Sequence, residues 1–418
     1  MDTTQFLNPS IVIDNNNNTG FAVPLYLNAS GKKTEQVTAN QAYAQTDNNS
    51  ASLIWYDSEG LSVETNDPPV VPRVKDMGTS PGKALYALPD NQAATIEVDR
   101  QKLLAGTRPF ETYQSSFEAG YDRLVIKQSG ITDDVVGRIQ YNATNDTTTV
   151  TGVHRHGWIF TGEAIEAVEA HTGSGADTWT IDTSRADATL RTGGGGDTVT
   201  VDNPSGHVYL HTETGMDVIT IKSIAADSTL ISGPGDDVIH LNSGQDRLAG
   251  ISAELKISGD SGNDVVNAID RKSTSNAAGH LTDQSLSGLN MAGRIIYDTI
   301  ETLNVHLGKG NNDFTIESTD AYTVTNLATN ELGTSSGGND SIRVKRVAGE
   351  THITTRDGND TVTISDDNAS LAGIDALLTV DVAVGNGDTL KVDNQGATSG
   401  QAGQLSDAKI SGLGMSGE

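Results

Sequence analysis

A nine-residue phrase returns every 20 residues through the middle of this chain. It reads Gly173-Ser-Gly-Ala-Asp177-Thr-Trp-Thr-Ile181, then Gly193-Gly-Gly-Gly-Asp197-Thr-Val-Thr-Val201. It continues as Glu213-Thr-Gly-Met-Asp217-Val-Ile-Thr-Ile221 and Gly233-Pro-Gly-Asp-Asp237-Val-Ile-His-Leu241. A constant step of this size belongs to a chain that winds on itself, each turn stacking on the one before. The aspartate, fixed within the phrase, becomes a column of like charges along one edge of the stack.

With that Asp as position zero, further zeros fall at Asp264, Asn312, Asp340, Asp360 and Asp388. Two residues later the chain carries Trp179, Val199, Ile219, Ile239, Val266, Phe314, Ile342, Val362 and Leu390; four later it is again apolar throughout. Mostly polar residues stand between. Alternation with a period of two is the signature of a strand with one inward face. A second short strand ends near seven residues before zero, at Leu190, Leu210, Leu230 and Ile353. Two strands, a glycine-rich turn and a variable turn per 20 residues predict a parallel β-helix or β-roll.

A longer period overlies the short one. Leu281-Thr-Asp-Gln-Ser-Leu-Ser-Gly-Leu-Asn-Met291 returns as Leu405-Ser-Asp-Ala-Lys-Ile-Ser-Gly-Leu-Gly-Met415, and Leu248-Ala-Gly-Ile251 as Leu371-Ala-Gly-Ile374. Ile300-Glu-Thr-Leu303 echoes Ile165-Glu-Ala-Val168. The solenoid is therefore expected over residues 119–418, and with no atypical capping coil visible it reads as a segment of a longer array. Residues 1–118 lack the period. Their alternating runs, Ser10–Ile13, Phe21–Leu27 and Ser52–Tyr56, are broken by Asn15 to Asn18 and by Pro68-Pro69, which predicts a β-rich N-terminal domain or cap. A helical stretch is expected near Val98 to Leu104.

Composition narrows the function. The chain carries 55 acidic and 27 basic residues over 418, a net charge of −28. That balance argues against nucleic acid and anionic membranes and favours cations as partners. No cysteine is present, which removes disulfides, thiolate metal sites and cysteine catalysis. No apolar run approaches the roughly 20 residues of a membrane span, and Met1-Asp-Thr-Thr-Gln5 lacks the basic and apolar regions of a signal peptide.

Stacked strands lie about 4.8 Å apart, so neighbouring carboxylates in the column repel by roughly 3 kcal/mol at an effective dielectric near 20. A bound cation relieves that cost. Carboxylates beside glycine-turn carbonyls are the oxygen donors Ca²⁺ takes in sixes to eights. The candidate ligands are Asp177, Asp197, Asp217, Asp236, Asp237, Asp264, Asp340, Asp357, Asp360 and Asp388. The competing reading is a plain turn in which Asp caps backbone amides.

Thr192-Gly-Gly-Gly-Gly-Asp197-Thr-Val199-Thr and Ser232-Gly-Pro-Gly-Asp-Asp237-Val-Ile239-His are similar to the nonapeptide of the repeats-in-toxin, haemolysin-type calcium-binding proteins. The resemblance covers about residues 170–268 and 305–392. It implies a right-handed parallel β-roll, calcium in the turns and secretion from a bacterium. That family sets nonapeptides in tandem, whereas here one turn per 20 residues carries the phrase, which implies calcium on one edge only. The 124-residue unit also resembles those of large bacterial surface and adhesin-type repeat proteins.

Other chemistry was weighed. The pairs Thr178/Thr180, Thr198/Thr200 and Thr361/Thr363 suit an outward β face, and a regular threonine array could order ice, but Val218 and His240 interrupt it. His154-Arg-His156 has no evident third metal ligand. A β-helix polysaccharide lyase or hydrolase would need paired acids at one irregular place; the acids here repeat uniformly, and no nucleophile elbow, phosphate loop or zinc-protease motif occurs. The expectation is a non-enzymatic, calcium-binding, extracellular or cell-surface structural segment. Self-association and glycan binding through residues 1–118 are its further expected partnerships, and no catalytic residue is assigned.

Overall fold

The computed structural model describes residues 132–144, 147–152, 166–329, 337–382 and 387–417 in full, and elsewhere gives strand backbone alone. The fold is all-β, with strands about every ten residues alternating between two long, largely parallel sheets, the β-solenoid expected from the repeat. The chain divides into two compact units, residues 1–199 with 204–213, and residues 200–203 with 214–418.

In the first unit, one sheet runs Thr95–Asp99, Arg123–Lys127, Ala167–His171, Asp187–Arg191, Val208–His211, every neighbour parallel. In the other sheet Val136–Asn142 pairs in parallel with Thr178–Asp182, and in antiparallel fashion with Thr147–Thr151, which in turn pairs with Ile159–Glu163. Ahead of these lie the expected N-terminal strands, at Ser10–Asp14, Ala22–Tyr26 and Ser50–Tyr56. Val98 is in a strand rather than a helix, because Thr95-Ile-Glu-Val-Asp99 alternates with period two and pairs on Arg123–Lys127. Residues 100–104 and the His154/His156 pair lie outside the described residues. Parallel pairing thus already includes Thr95–Asp99, ahead of residue 119.

In the second unit, one sheet stacks Val218–Ile221, Val238–Leu241, Val265–Ile269, Thr302–His306, Val324–Ala328, Thr351–Thr354 and Leu378–Asp381, all parallel. The facing sheet holds Ser228–Ile231, Glu254–Ser258, Arg294–Asp298, Ser285–Gly288, Ala278–Leu281, Asp313–Ile316, Ser341–Val344, Thr361–Ile364 and Thr389–Val392. Within it, Ala278–Leu281, Ser285–Gly288 and Arg294–Asp298 form an antiparallel meander set between parallel neighbours.

The meander keeps three strands in a single sheet before the chain crosses back, and from Ser228–Ile231 to Thr351–Thr354 the chain crosses between the sheets an odd number of times. Each element therefore returns in the opposite sheet: Ser228–Ile231 reappears as Thr351–Thr354, and Glu254–Ser258 as Leu378–Asp381, on the other side of the solenoid. The bridges Ile224↔Ile251 and Val347↔Ile374 mark the same local structure twice. The meander turns end at Gly152, Gly288 and Gly412, whose φ values of 84°, 78° and 77° admit glycine without strain.

The core follows the alternation. Ile219, Ile239, Val266 and Leu303 form one inward column, and Ile221, Leu241, Ala268, Val305 and Leu327 the next, each at most 2% exposed. Each buried Val, Ile or Leu contributes about 1.5–3 kcal/mol. The two aromatic residues at position +2, Trp179 and Phe314, lie in register with Gly137 and Gly279, where a Cβ would run into the ring. Those glycines make room for the ring. Leu390, expected inward, is 44% exposed because Thr389–Val392 ends its sheet.

The turns stack as closely as the strands. Gly235 has φ 150°, and a Cβ there would fall inside the carbonyl oxygen of Gly215 one coil earlier. Gly235→Ala is expected to lower stability by about 3 kcal/mol or more, since neither turn can move without breaking the stack. Thermal unfolding followed by circular dichroism checks this, and an unchanged midpoint would refute the close approach.

Candidate metal centre

Parity decides where the repeated aspartate points. Positions +2 and +4 are inward, so position zero is inward as well. Asp177, Asp197, Asp217, Asp237, Asp264, Asp340 and Asp360 are each at most 2% exposed. They form stacked, buried ladders at the mouths of the glycine turns, where the sequence suggested a column along an outer edge.

Each rung is bonded to the coil before it. In the first unit, Asp177 Oδ1 accepts from the Val135 N–H (2.7 Å), and Asp197 Oδ1 from the Asp177 N–H (2.8 Å). In the second unit, Asp237 Oδ1 accepts from Asp217 N–H (2.8 Å) and Asp264 Oδ1 from Asp237 N–H (3.0 Å). Glu301 continues this ladder, its Oε2 accepting from Asp264 N–H at 2.7 Å. A further ladder runs Asn312, Asp340, Asp360, Asp388, with N–H to Oδ1 distances of 2.7, 2.7 and 2.8 Å.

These two ladders of the second unit open different sheets. Asp237 and Asp264 precede Val238–Leu241 and Val265–Ile269, whereas Asp340 and Asp360 precede Ser341–Val344 and Thr361–Ile364 of the facing sheet. The single edge expected from the sequence is split in two, because the chain crosses between the sheets an odd number of times between Asp264 and Asn312.

Neighbouring positions carry supporting ladders. Asn276, Asn311 and Asn339 each accept at Oδ1 from the N–H of the next coil's asparagine, at 2.9, 2.8 and 2.9 Å. Thr172, Thr192 and Ser232, five residues before zero, donate to carbonyls one coil on, at 2.7, 3.0 and 3.2 Å. Asp236 belongs to the outer set. It is exposed and caps the Asn263 N–H at 2.9 Å, pointing away from Asp237. Asp357 is half-buried in the turn before Asp360.

Capping uses one carboxylate oxygen. The other, Oδ2, is buried without a hydrogen-bond partner at Asp264, Asp340, Asp360 and Asp388. Asn312 shows what this position faces. Its Nδ2 donates to the carbonyls of Gly308 (3.0 Å) and Gly310 (2.9 Å) in its own turn. Where aspartate replaces asparagine, the corresponding branch brings an oxygen toward turn carbonyls. Oxygens with no hydrogen between them leave a lone-pair-rich gap that only a proton or a cation can fill.

The electrostatics agree. Burial pushes the carboxyl of Asp264 up to about 7, with Asp237 and Glu301 adding repulsion. Burial likewise raises Asp340 to about 7, with Asp360 adding to it, and Asp360 to about 6, with Asp388 adding to it. Asp177 rises to about 6, mainly by burial, against the hydrogen bonds from Thr172 and Val135 that hold it down. Asp197 and Asp237 shift upward for the same first reason.

For a hard cation, the ligand types fit: carboxylate oxygens and turn carbonyls. Among the described residues there is no group of three or more His, Cys, Asp or Glu side chains placed to hold a metal ion, so backbone carbonyls would have to complete any such site. Two acids with structural roles, half-buried Glu301 and buried Asp270, escape the repeated phrase. Glu301 has no glycine turn before it, and only the echo of Ile165-Glu-Ala-Val168 hints at its place. Asp270, 1% exposed, caps the Leu248 N–H at 3.0 Å and is raised to about 6 by burial; no periodic signal marks it. No protein-family model and no curated protein sequence matches the chain.

Proposed function

We propose that this chain is a non-enzymatic, calcium-stabilised structural segment of a large secreted or cell-surface bacterial protein, giving length and stiffness to whatever it carries. The observation that supports this most is the buried, unpartnered Oδ2 of Asp264, Asp340, Asp360 and Asp388. The ions would be held by Asp177 with Asp197, by Asp217 with Asp237 and Asp264, and by Asp340 with Asp360 and Asp388, together with carbonyls of the glycine turns. Calcium, when bound, supplies the positive charge that lets these carboxylates remain ionised inside the stack. Side chains and backbone do the rest: Oδ1 fixes the rung spacing, and the inward Val, Ile and Leu columns hold the coils together.

The same reading makes calcium a folding switch. A chain of net charge −28 stays expanded where calcium is scarce and coils where it is plentiful, since binding free energy becomes folding free energy. Circular dichroism and thermal melting in excess chelator test this. The strand signal should weaken and the midpoint fall, both returning on calcium addition. An identical spectrum and midpoint with and without chelator would defeat the proposal.

A further inference from the structure

Outside the ladders, the second unit brings two arginines and a histidine to one place. Ile269, His306, Ala328 and Thr354 stand in register on successive strands of one sheet. The pairing continues past the strand ends through Asp270 N–H to His306 O (2.9 Å) and Leu307 N–H to Ala328 O (2.9 Å). Two residues beyond that register lie Arg271, Gly308 and, on the last of these coils, Arg356. The arginines are thus three coil steps apart, roughly 14 Å along the stack, with Gly308 at the same register on the coil after Arg271.

Both guanidiniums act on His306. Burial first, then Arg271 and Arg356, lower its imidazole to about 4. The Nε of Arg271 and the Nε of Arg356 are buried and have no hydrogen-bond partner. Ile269 and Ala328 face outward by parity, yet are only 6% and 9% exposed, so the outer face is covered beside His306. Two like charges leaning on one imidazole, with buried donors unused, is an arrangement that repels itself until an anion enters.

We infer that Arg271, His306 and Arg356 form a binding site for an oxyanion, a carboxylate or sulfate group that is either free in solution or carried on an acidic polysaccharide. The planar fork of each guanidinium matches the paired oxygens of such a group. The site uses no ladder carboxylate, and its probes are anions, so its test is separate from that of the calcium reading.

The test uses the intact chain, calcium-replete, with the His306 ring followed by NMR and binding by calorimetry. Inorganic sulfate is one probe and a short oligogalacturonate the other. Either should move the His306 resonances and raise its pKa by about one unit. R271Q/R356Q should weaken binding by about tenfold or more, while R271K/R356K, which keeps the charge but loses the fork, should fall between. Circular dichroism of both variants confirms that they fold. Tighter binding of the oligogalacturonate than of galacturonic acid would assign the site to a polysaccharide, and equal binding to a free anion.

No response of His306 to either probe would overturn the inference, as would undiminished binding by folded R271Q/R356Q.

Discussion

Asp264→Asn should raise the melting temperature of the calcium-free protein by a few degrees, and should leave it below the parent once calcium is saturating. The reversal follows from the two oxygens of one carboxylate. Oδ1 caps the Asp237 N–H, and an asparagine oxygen can do the same. Oδ2 is buried and unpartnered, and an amide nitrogen there would donate to turn carbonyls as Asn312 does. Without metal, the substitution removes a charge held in a buried site between Asp237 and Glu301, a gain on the order of 2 kcal/mol at neutral pH. With metal, it removes a ligand, and the parent gains stability that the variant cannot match. Asp264→Ala is the control. It leaves the Asp237 N–H without an acceptor and should lose about 1–3 kcal/mol with or without calcium. A uniform loss in Asp264→Asn under both conditions would mean the carboxylate does nothing but cap.

The calcium-free protein should also lose stability steadily between about pH 4 and pH 7. Asp177, Asp264, Asp340 and Asp360 are raised from 3.8 to about 6 or 7 in the fold. Through that window the native ladder keeps protons that the unfolded chain has released, so stability falls as pH rises and levels off above about 7. Below about 4 both states are protonated and the effect vanishes. Summed over the ladder the loss is on the order of several kcal/mol. Saturating calcium should flatten the profile, because the cation takes the protons' place. Urea unfolding midpoints from pH 4 to 8 measure this, and a calcium-free midpoint that rises with pH would contradict it.

The solenoid was legible because its signal is repeated and short-range. Positions +2 and +4 are apolar in coil after coil, and burial of Ile219, Ile221, Ile239 and Leu241 follows directly. The inward aim of the aspartates was present in the same alternation, since zero has the parity of +2, but a charged residue read alone suggests a surface. What stayed hidden is long-range. An odd number of crossings in the long repeat exchanges the two sheets, the meander over Ala278–Leu281, Ser285–Gly288 and Arg294–Asp298 interrupts the alternation, and no local pattern reports how many crossings a repeat contains. The sequence did hold the clue that Leu281 to Met291 interrupts the 20-residue step. Glu301 and Asp270 were missed for a related reason: each takes its role from its place in the stack, with no phrase around it. Arg271, His306 and Arg356 are brought near one another only by register.

The central claim is that the ladders take up calcium, above all at the unpartnered carboxylate oxygens of Asp264, Asp340, Asp360 and Asp388. Calorimetric titration of calcium into the intact, chelator-stripped chain tests it most directly, beside the same titration of Asp264→Asn and Asp340→Asn. The account predicts saturable binding to several sites per chain, proton release that grows as the pH is lowered from 7 toward 6, and fewer sites in each variant. Absence of binding heat, or equal stoichiometry in parent and variants, would contradict it.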